Sequence, residues 1–228
     1  VDRKALELTK QADNPNVARP GERVSRQAQK SEATVAALLL ATQDLLLEIG
    51  YARLTTAAVA ERAGVSRGAL THHFRSKEHL ITTAIDSHLR AVIEGLSAFA
   101  ETIDPETADT DTIVEYLWQM MSNGLFQLTM EYLPEARVNE DFREEITPVV
   151  KRFHAELERI WAIVAQRYHL PSDEAPVLIN LTMCLIRGMV AQSIVRKDQP
   201  YFDRMLIEWK LLLKTHIRNV AQNRGAAG

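Results

Sequence analysis

Two adjacent histidines, His72 and His73, stand in the stretch GVSRGALTHHFRSKEHL, residues 64–80. Such residues serve three chemistries: metal binding, acid–base catalysis, and contact with an acidic polymer. Consecutive residues on a helix point in directions about 100° apart. The pair therefore cannot converge on one ion as an i, i+4 pair can. No nucleophile or carboxylate constellation stands beside them to support catalysis. The sequence holds no HExxH, no glycine-rich phosphate cradle and no nucleophile elbow. Its single cysteine, Cys184, excludes a thiolate metal cluster and an intrachain disulfide, and reads as a small buried hydrophobe. The expectation is no catalytic residue, no metal and no cofactor. Contact with a polyanion remains, with Arg67, Arg75 and Lys77 supplying positive charge around the histidines.

The residues before this stretch define how it is held. Helical periodicity begins at Ser31 and places Val35, Leu38, Leu39, Thr42, Leu45, Leu46 and Ile49 on one face, with Gly50 ending the helix. Thr55 or Thr56 caps a short second helix, TTAAVAERA. Gly64 allows the left-handed backbone of a tight turn. Ser66 caps a third helix, RGALTHHF, and Ser76 a fourth that runs from near Lys77 towards Phe99. Ala60 is small where the second and third helices cross, and Val59, Val65 and Leu70 seal the space between them. This spacing of small residue, glycine and apolar residues predicts a helix-turn-helix. Its second helix presents Arg67, Gly68, Thr71 and His72 outward, as a helix entering a major groove requires. Arg67 is suited to guanine edges or phosphate. Gly68 permits close approach of the backbone. Thr71 offers a hydroxyl or a methyl, and His73 a phosphate contact or a structural role. Lys77 lies where an ammonium can meet phosphate beside a helix N-terminus.

The stretch LTTAAVAERAGVSRGALTHHFRSKEHL resembles the DNA-binding domain of the TetR family of transcriptional regulators, over roughly residues 33–80. The resemblance implies three N-terminal helices and the start of a fourth, an all-helical ligand-binding domain, and a homodimer. It further implies a palindromic operator and a repressor released by a small molecule. Thr55 and Thr56 match the family's threonines before and at the second helix, and Lys77 its phosphate-contacting lysine. Thr71 departs from the pattern: many members carry a tyrosine there that touches the DNA backbone, and the shorter threonine passes part of that contact to His72 or His73.

Charge is distributed unevenly along the 228 residues. The formal net charge is −3, yet residues 19–79 carry nine Lys/Arg against six Asp/Glu. A basic N-terminal part ahead of an acidic remainder suggests two surfaces with different partners. Residues 1–30, with Arg19, Arg23, Arg26 and Lys30, read as a flexible basic arm, with a short helix near residues 2–10. Residues 31–79 read as the DNA-binding domain and 80–228 as a helical ligand-binding and dimerisation domain. No stretch reaches the roughly 18 apolar residues that span a bilayer, and the N-terminus lacks the apolar core of a secretion signal. A soluble cytoplasmic protein without a membrane partner is the expectation.

Beyond residue 100 no period-2 strand pattern competes with helix. About nine helices are expected in all, with breaks near Pro134 and Pro148 and at HLPSD (169–173). The segment YLWQMMSNGLFQLTMEYL, 116–133, is rich in methionine and aromatic residues, which adapt to irregular apolar surfaces. Trp118, Met121, Phe126 and Met130 are the candidate effector-pocket residues. Two amphipathic segments, 174–196 and 202–219, predict a dimer surface with stripes Leu178, Leu181, Leu185, Gly188, Met189, Gln192 and Phe202, Leu206, Trp209, Leu213. Arg187 is out of place on so apolar a helix. It calls for an acidic side chain or an acidic ligand. The function these features favour is an all-α, homodimeric repressor that binds double-stranded operator DNA and is released by a small, mostly apolar effector. An effector-independent regulator or activator is the alternative within DNA binding; a helical enzyme or interaction module is the alternative outside it.

Overall fold

The computed structural model describes residues 20–107, 109–167 and 174–225. Among the described residues the chain is helical with no strand. In order, the helices are α1 (Pro20–Arg53), α2 (Thr56–Arg62), α3 (Arg67–His73), α4 (Lys77–Thr102), α5 (Thr110–Met120), α6 (Phe126–Val138), α7 (Glu140–Arg167), α8 (Ala175–Ser193) and α9 (Gln199–Gly225). A π-helical turn, Met121–Leu125, joins α5 to α6.

Helix α1 begins well before Ser31, so the expected arm is helical from Pro20 onward. Residues 27–33 of this extension are exposed. Arg19, the side chains of Arg23 and Arg26, and the helix expected near residues 2–10 lie outside the described residues. The anticipated face of α1 packs inward: Leu38, Leu45 and Leu46 are buried. Thr42 is buried with them because its hydroxyl donates to the Leu38 carbonyl at 2.7 Å. Gly50, at φ 78°, breaks the helical path as expected.

The breaks in the second half differ from expectation. Pro134 and Pro148 sit inside α6 and α7 without ending them. The discontinuity falls instead at Asn123 and at Gly124 (φ 109°), a backbone region that glycine enters without steric cost. By length and composition α1 (Gln27–Arg53) and α8 (Ala175–Ser193) are apolar enough to cross a bilayer, contrary to the sequence reading. Each turns its buried apolar residues into the protein core.

Helix α4 organises the body by packing along α7 and α1. One continuous apolar cluster joins Leu38, Leu54 and Leu70 near the N-terminus to Phe142, Ile186 and Leu213 far along the chain. The two C-terminal helices are rotated relative to the expected stripes. Phe202, Leu206, Leu213 and Met189 are buried inside the protomer, and Trp209 Nε1 donates to Thr182 Oγ1 at 3.1 Å. The exposed face instead carries Leu181, Cys184, Gly188 and Gln192 on α8, with Leu211 and Leu212 on α9. Cys184 is thus an exposed thiol and not the buried hydrophobe expected.

Candidate nucleic-acid interface

Three side-chain caps build the reading head. Thr55 Oγ1 accepts from Ala58 N at 3.2 Å and starts α2. Ser66 Oγ accepts from Ala69 N at 3.1 Å and starts α3. Ser76 Oγ accepts from His79 N at 3.0 Å and starts α4. Each satisfies an amide left without an intrahelical partner. Between α2 and α3 the chain turns at Gly64, φ 67°, where Val65 N bonds back to the Ala60 carbonyl at 3.0 Å. Val59, Ala60, Leu70 and Phe74 are buried beneath this turn. Arg62 forks onto both oxygens of Glu48 at 2.8 and 2.7 Å, fastening α2 to α1.

The outer surface of α3 is what these supports leave free. Thr55, Ser66, Arg67, Gly68, Thr71 and His72 are exposed; Thr56 and His73 are half-buried. Arg67 has no ion pair or hydrogen bond with any described residue. Thr71 donates its hydroxyl proton to the Gly68 carbonyl at 3.1 Å, so toward an outside partner it presents its methyl and the oxygen's lone pairs. The rings of His72 and His73 stand at 89° with centroids 5.1 Å apart. Among the described residues no three His, Cys, Asp or Glu side chains gather as metal ligands would. At Gly68 an added Cβ would meet only Ser66 Oγ, at 3.9 Å. Nothing inside the protomer requires glycine there.

Lys77 corrects an expectation. Its ammonium turns inward, donating to the Tyr51 carbonyl at 2.9 Å and lying 4.4 Å from the Tyr51 ring centroid. A carbonyl at the end of α1 has captured it, so it is not free to reach a phosphate. Around it lies a junction that sequence reasoning missed. Glu131, on α6, accepts the Tyr51 amide at 3.0 Å, and its carboxylate fills the space that a Gly50 Cβ would occupy, with Oε2 at 2.8 Å. The Tyr51 ring meets Phe142 of α7 edge-on at 5.2 Å. Burial, reinforced by nearby Glu135 and Glu78, pushes the Tyr51 hydroxyl well above its ordinary range. Arg75, after α3, pairs with Glu145 of α7. These partners are distant in sequence, and only the fold brings them together.

The body contains a cleft of about 750 Å³ between α7 and α8, within the usual range for small-molecule sites, about 300–1,000 Å³. Leu157, Trp161, Ala165, Ile179 and Met183 give it an apolar lining, with His154, Glu158, Asn180 and Arg187 as polar members. None of the candidates Trp118, Met121, Phe126 and Met130 lines it. Met121 is buried in the core, Trp118 and Phe126 pack against that core, and Met130 is 40% exposed. Their softness serves packing around the α5–α6 discontinuity.

A capped helix presented outward by a two-helix hairpin, carried on an all-helical body, defines a DNA-binding transcriptional regulator of the helix-turn-helix class. The profile of the bacterial regulatory proteins of the TetR family matches residues 38–84. The regulator CymR of Pseudomonas putida is 27% identical over 78% of this chain and 88% of its own. The regulator TtgR, from another strain of that species, is 38% identical over 28% of this chain and 30% of its own. The crystal structure of a TetR-family regulator from Mesorhizobium loti superposes with a TM-score of 0.66, at 14% identity, over 80% of this chain and 96% of that one. This chain belongs to the TetR family of transcriptional regulators, and is a DNA-binding regulator and not an enzyme.

Proposed function

We propose that the protein is a homodimeric repressor that binds a palindromic operator and is released by a small, largely apolar molecule held between α7 and α8. The observation that carries this reading is the double duty of α7. Its C-terminal half walls the cleft through Leu157, Trp161 and Ala165. Its N-terminal half grips the reading head, through Phe142 on Tyr51 and Glu145 on Arg75. A ligand that moves α7 therefore acts on the α1–α3 unit directly. Release requires that the ligand favour a geometry in which the two α3 helices of a dimer no longer match successive major grooves. Arg67, Gly68, Thr71 and His72 form the base-facing set. Thr55, Thr56, Ser66 and His73 flank it at the phosphates, and Lys77 positions the head from inside.

The dimer reading rests on the exposed apolar face of α8 and α9, where Leu181, Leu211 and Leu212 are each at least half exposed. Two such helices from each protomer form a four-helix bundle that removes this face from water.

The test begins with selection of binding sites from random duplex DNA, then fluorescence anisotropy on the selected sequence. A palindromic site bound well above nonspecific DNA, and released by a compound from a small-molecule screen, is expected. Binding with no sequence preference would overturn the operator reading. Linkage requires the operator to weaken binding of that compound by the same factor. Equal affinity with and without operator would remove it as an inducer.

A further inference from the structure

The α7–α8 cleft holds one group that a purely apolar ligand leaves unused. Arg187 lies on its wall and is the sole charged residue of α8. Two arginines among the described residues are half-buried, Arg167 and Arg187. Arg167 donates to the carbonyls of Glu101 and Ile103 at 3.1 and 2.8 Å. Arg187 makes no hydrogen bond or ion pair with any described residue. A guanidinium carries five donors, and withdrawing them from water without a partner is costly.

The surroundings do not neutralise it. Glu158, on the opposite wall, is exposed and forms no ion pair with it. His154 is the other titratable group of the lining. Tyr132 of α6 is near enough for Arg187 to oppose part of the upward shift that burial imposes on its hydroxyl. Arg187 stands twelve residues after Ala175, about 18 Å along the helix axis at ~1.5 Å per residue. It therefore closes one end of a long apolar trough whose other end is at Ala165 and Ala175.

We propose that this cleft recognises a monocarboxylate with an apolar body, its carboxylate paired with the Arg187 guanidinium and its hydrocarbon laid along Leu157, Trp161, Ile179 and Met183. The geometry of guanidinium and carboxylate is matched two bonds to two. The surrounding low polarity strengthens the pair, and the apolar walls reward the body of the ligand. The inference rests on the effector reading for its location and adds the chemical class of the ligand.

The test uses the full-length protein without DNA. Octanoate, decanoate and dodecanoate, each with its primary alcohol, are titrated by calorimetry below their aggregation concentrations. At least one acid is expected to bind about 10-fold or more tighter than its alcohol, the range of a charge-assisted bond. Arg187→Met should abolish that preference while keeping the affinity for the alcohol. Arg187→Lys should retain part of it. Met183→Trp should weaken acid and alcohol together by filling the trough, with unchanged circular dichroism. Equal binding of acid and alcohol, no binding of any acid, or an Arg187→Met variant that keeps the preference would each overturn the proposal. Operator release is measured separately. An acid that binds through Arg187 but leaves the operator complex intact supports the carboxylate site and overturns the effector reading. Release by a neutral compound alongside failure of every acid overturns the carboxylate site and supports the effector reading.

Discussion

Replacing Gly68 by alanine separates the demands of folding from those of DNA. Gly68 is the second residue of α3, on its exposed side. Its backbone is not in the left-handed region, so alanine fits without strain. The new methyl would meet Ser66 Oγ at 3.9 Å, an ordinary contact, and nothing else. Glycine in a helix is less favourable than alanine by roughly 0.5–1 kcal/mol, because the unfolded chain loses more freedom on folding. Near a helix end the lower figure applies, so the variant should be stabilised by about 0.5 kcal/mol, a rise of roughly 1–2 °C in Tm for a chain of this size. If α3 enters a groove, that methyl points at the DNA. A lost close approach of the phosphate backbone, with one or two charge-assisted bonds disturbed, costs about 1–3 kcal/mol, or roughly 10- to 100-fold in affinity. Differential scanning calorimetry and operator anisotropy at fixed salt read the two effects. A destabilised variant would refute the packing argument. A stabilised variant with unchanged operator affinity would refute the placement of Gly68 against DNA.

Three further outcomes are expected. Gly50→Ala should destabilise the fold by about 1–3 kcal/mol, since it forces a side chain to φ 78° and into the Glu131 carboxylate; urea unfolding checks it, and a neutral result would show that Glu131 swings away freely. Leu212→Glu should yield a folded monomer, because Leu212 is 62% exposed in the protomer and contributes to the face assigned to dimerisation; light scattering that still reports a dimer would move the interface elsewhere. Burial depresses the pKa of His88, and its Nε2 has no partner. Its neutral form therefore supports stability above the ordinary imidazole range near pH ~6.5, and that support fades as pH falls through the lowered pKa. His88→Leu should flatten the decline in Tm on acidification, and an unchanged slope would assign the decline to other groups.

The reading head was legible because its information is local. Thr55, Ser66 and Ser76 cap by reaching amides three residues ahead, and Gly64 turns the chain where no other residue does so cheaply. The buried positions Val59, Ala60 and Leu70 recur at helical spacing within a few turns. A short window of sequence contains all the atoms concerned, so residue type and spacing suffice to predict the hairpin and the outward set Arg67, Gly68, Thr71 and His72. The start of α1 was less legible, because the polar residues after Pro20 carry no apolar period to mark a helix.

The body required tertiary structure. Periodicity shows that α8 and α9 are amphipathic but not which of two apolar arcs faces the protomer. Docking on α5 and α7 settled that, burying Phe202, Leu206 and Leu213 and leaving Cys184 and Leu212 outside. The methionines of 116–133 have the chemistry of a pocket and the location of a core, and location depends on every helix around them. The cleft forms instead where small residues, Ala165 and Ala175, keep two helix surfaces from filling the space between them. Lys77 carries a charge that its sequence neighbours would leave in solvent; the end of α1, folded back beside it, supplies the carbonyl and ring that hold it. Glu131 and Tyr51 are eighty residues apart, and no local rule links them. Their contact exists because α6 and the end of α1 pack against each other in the folded body.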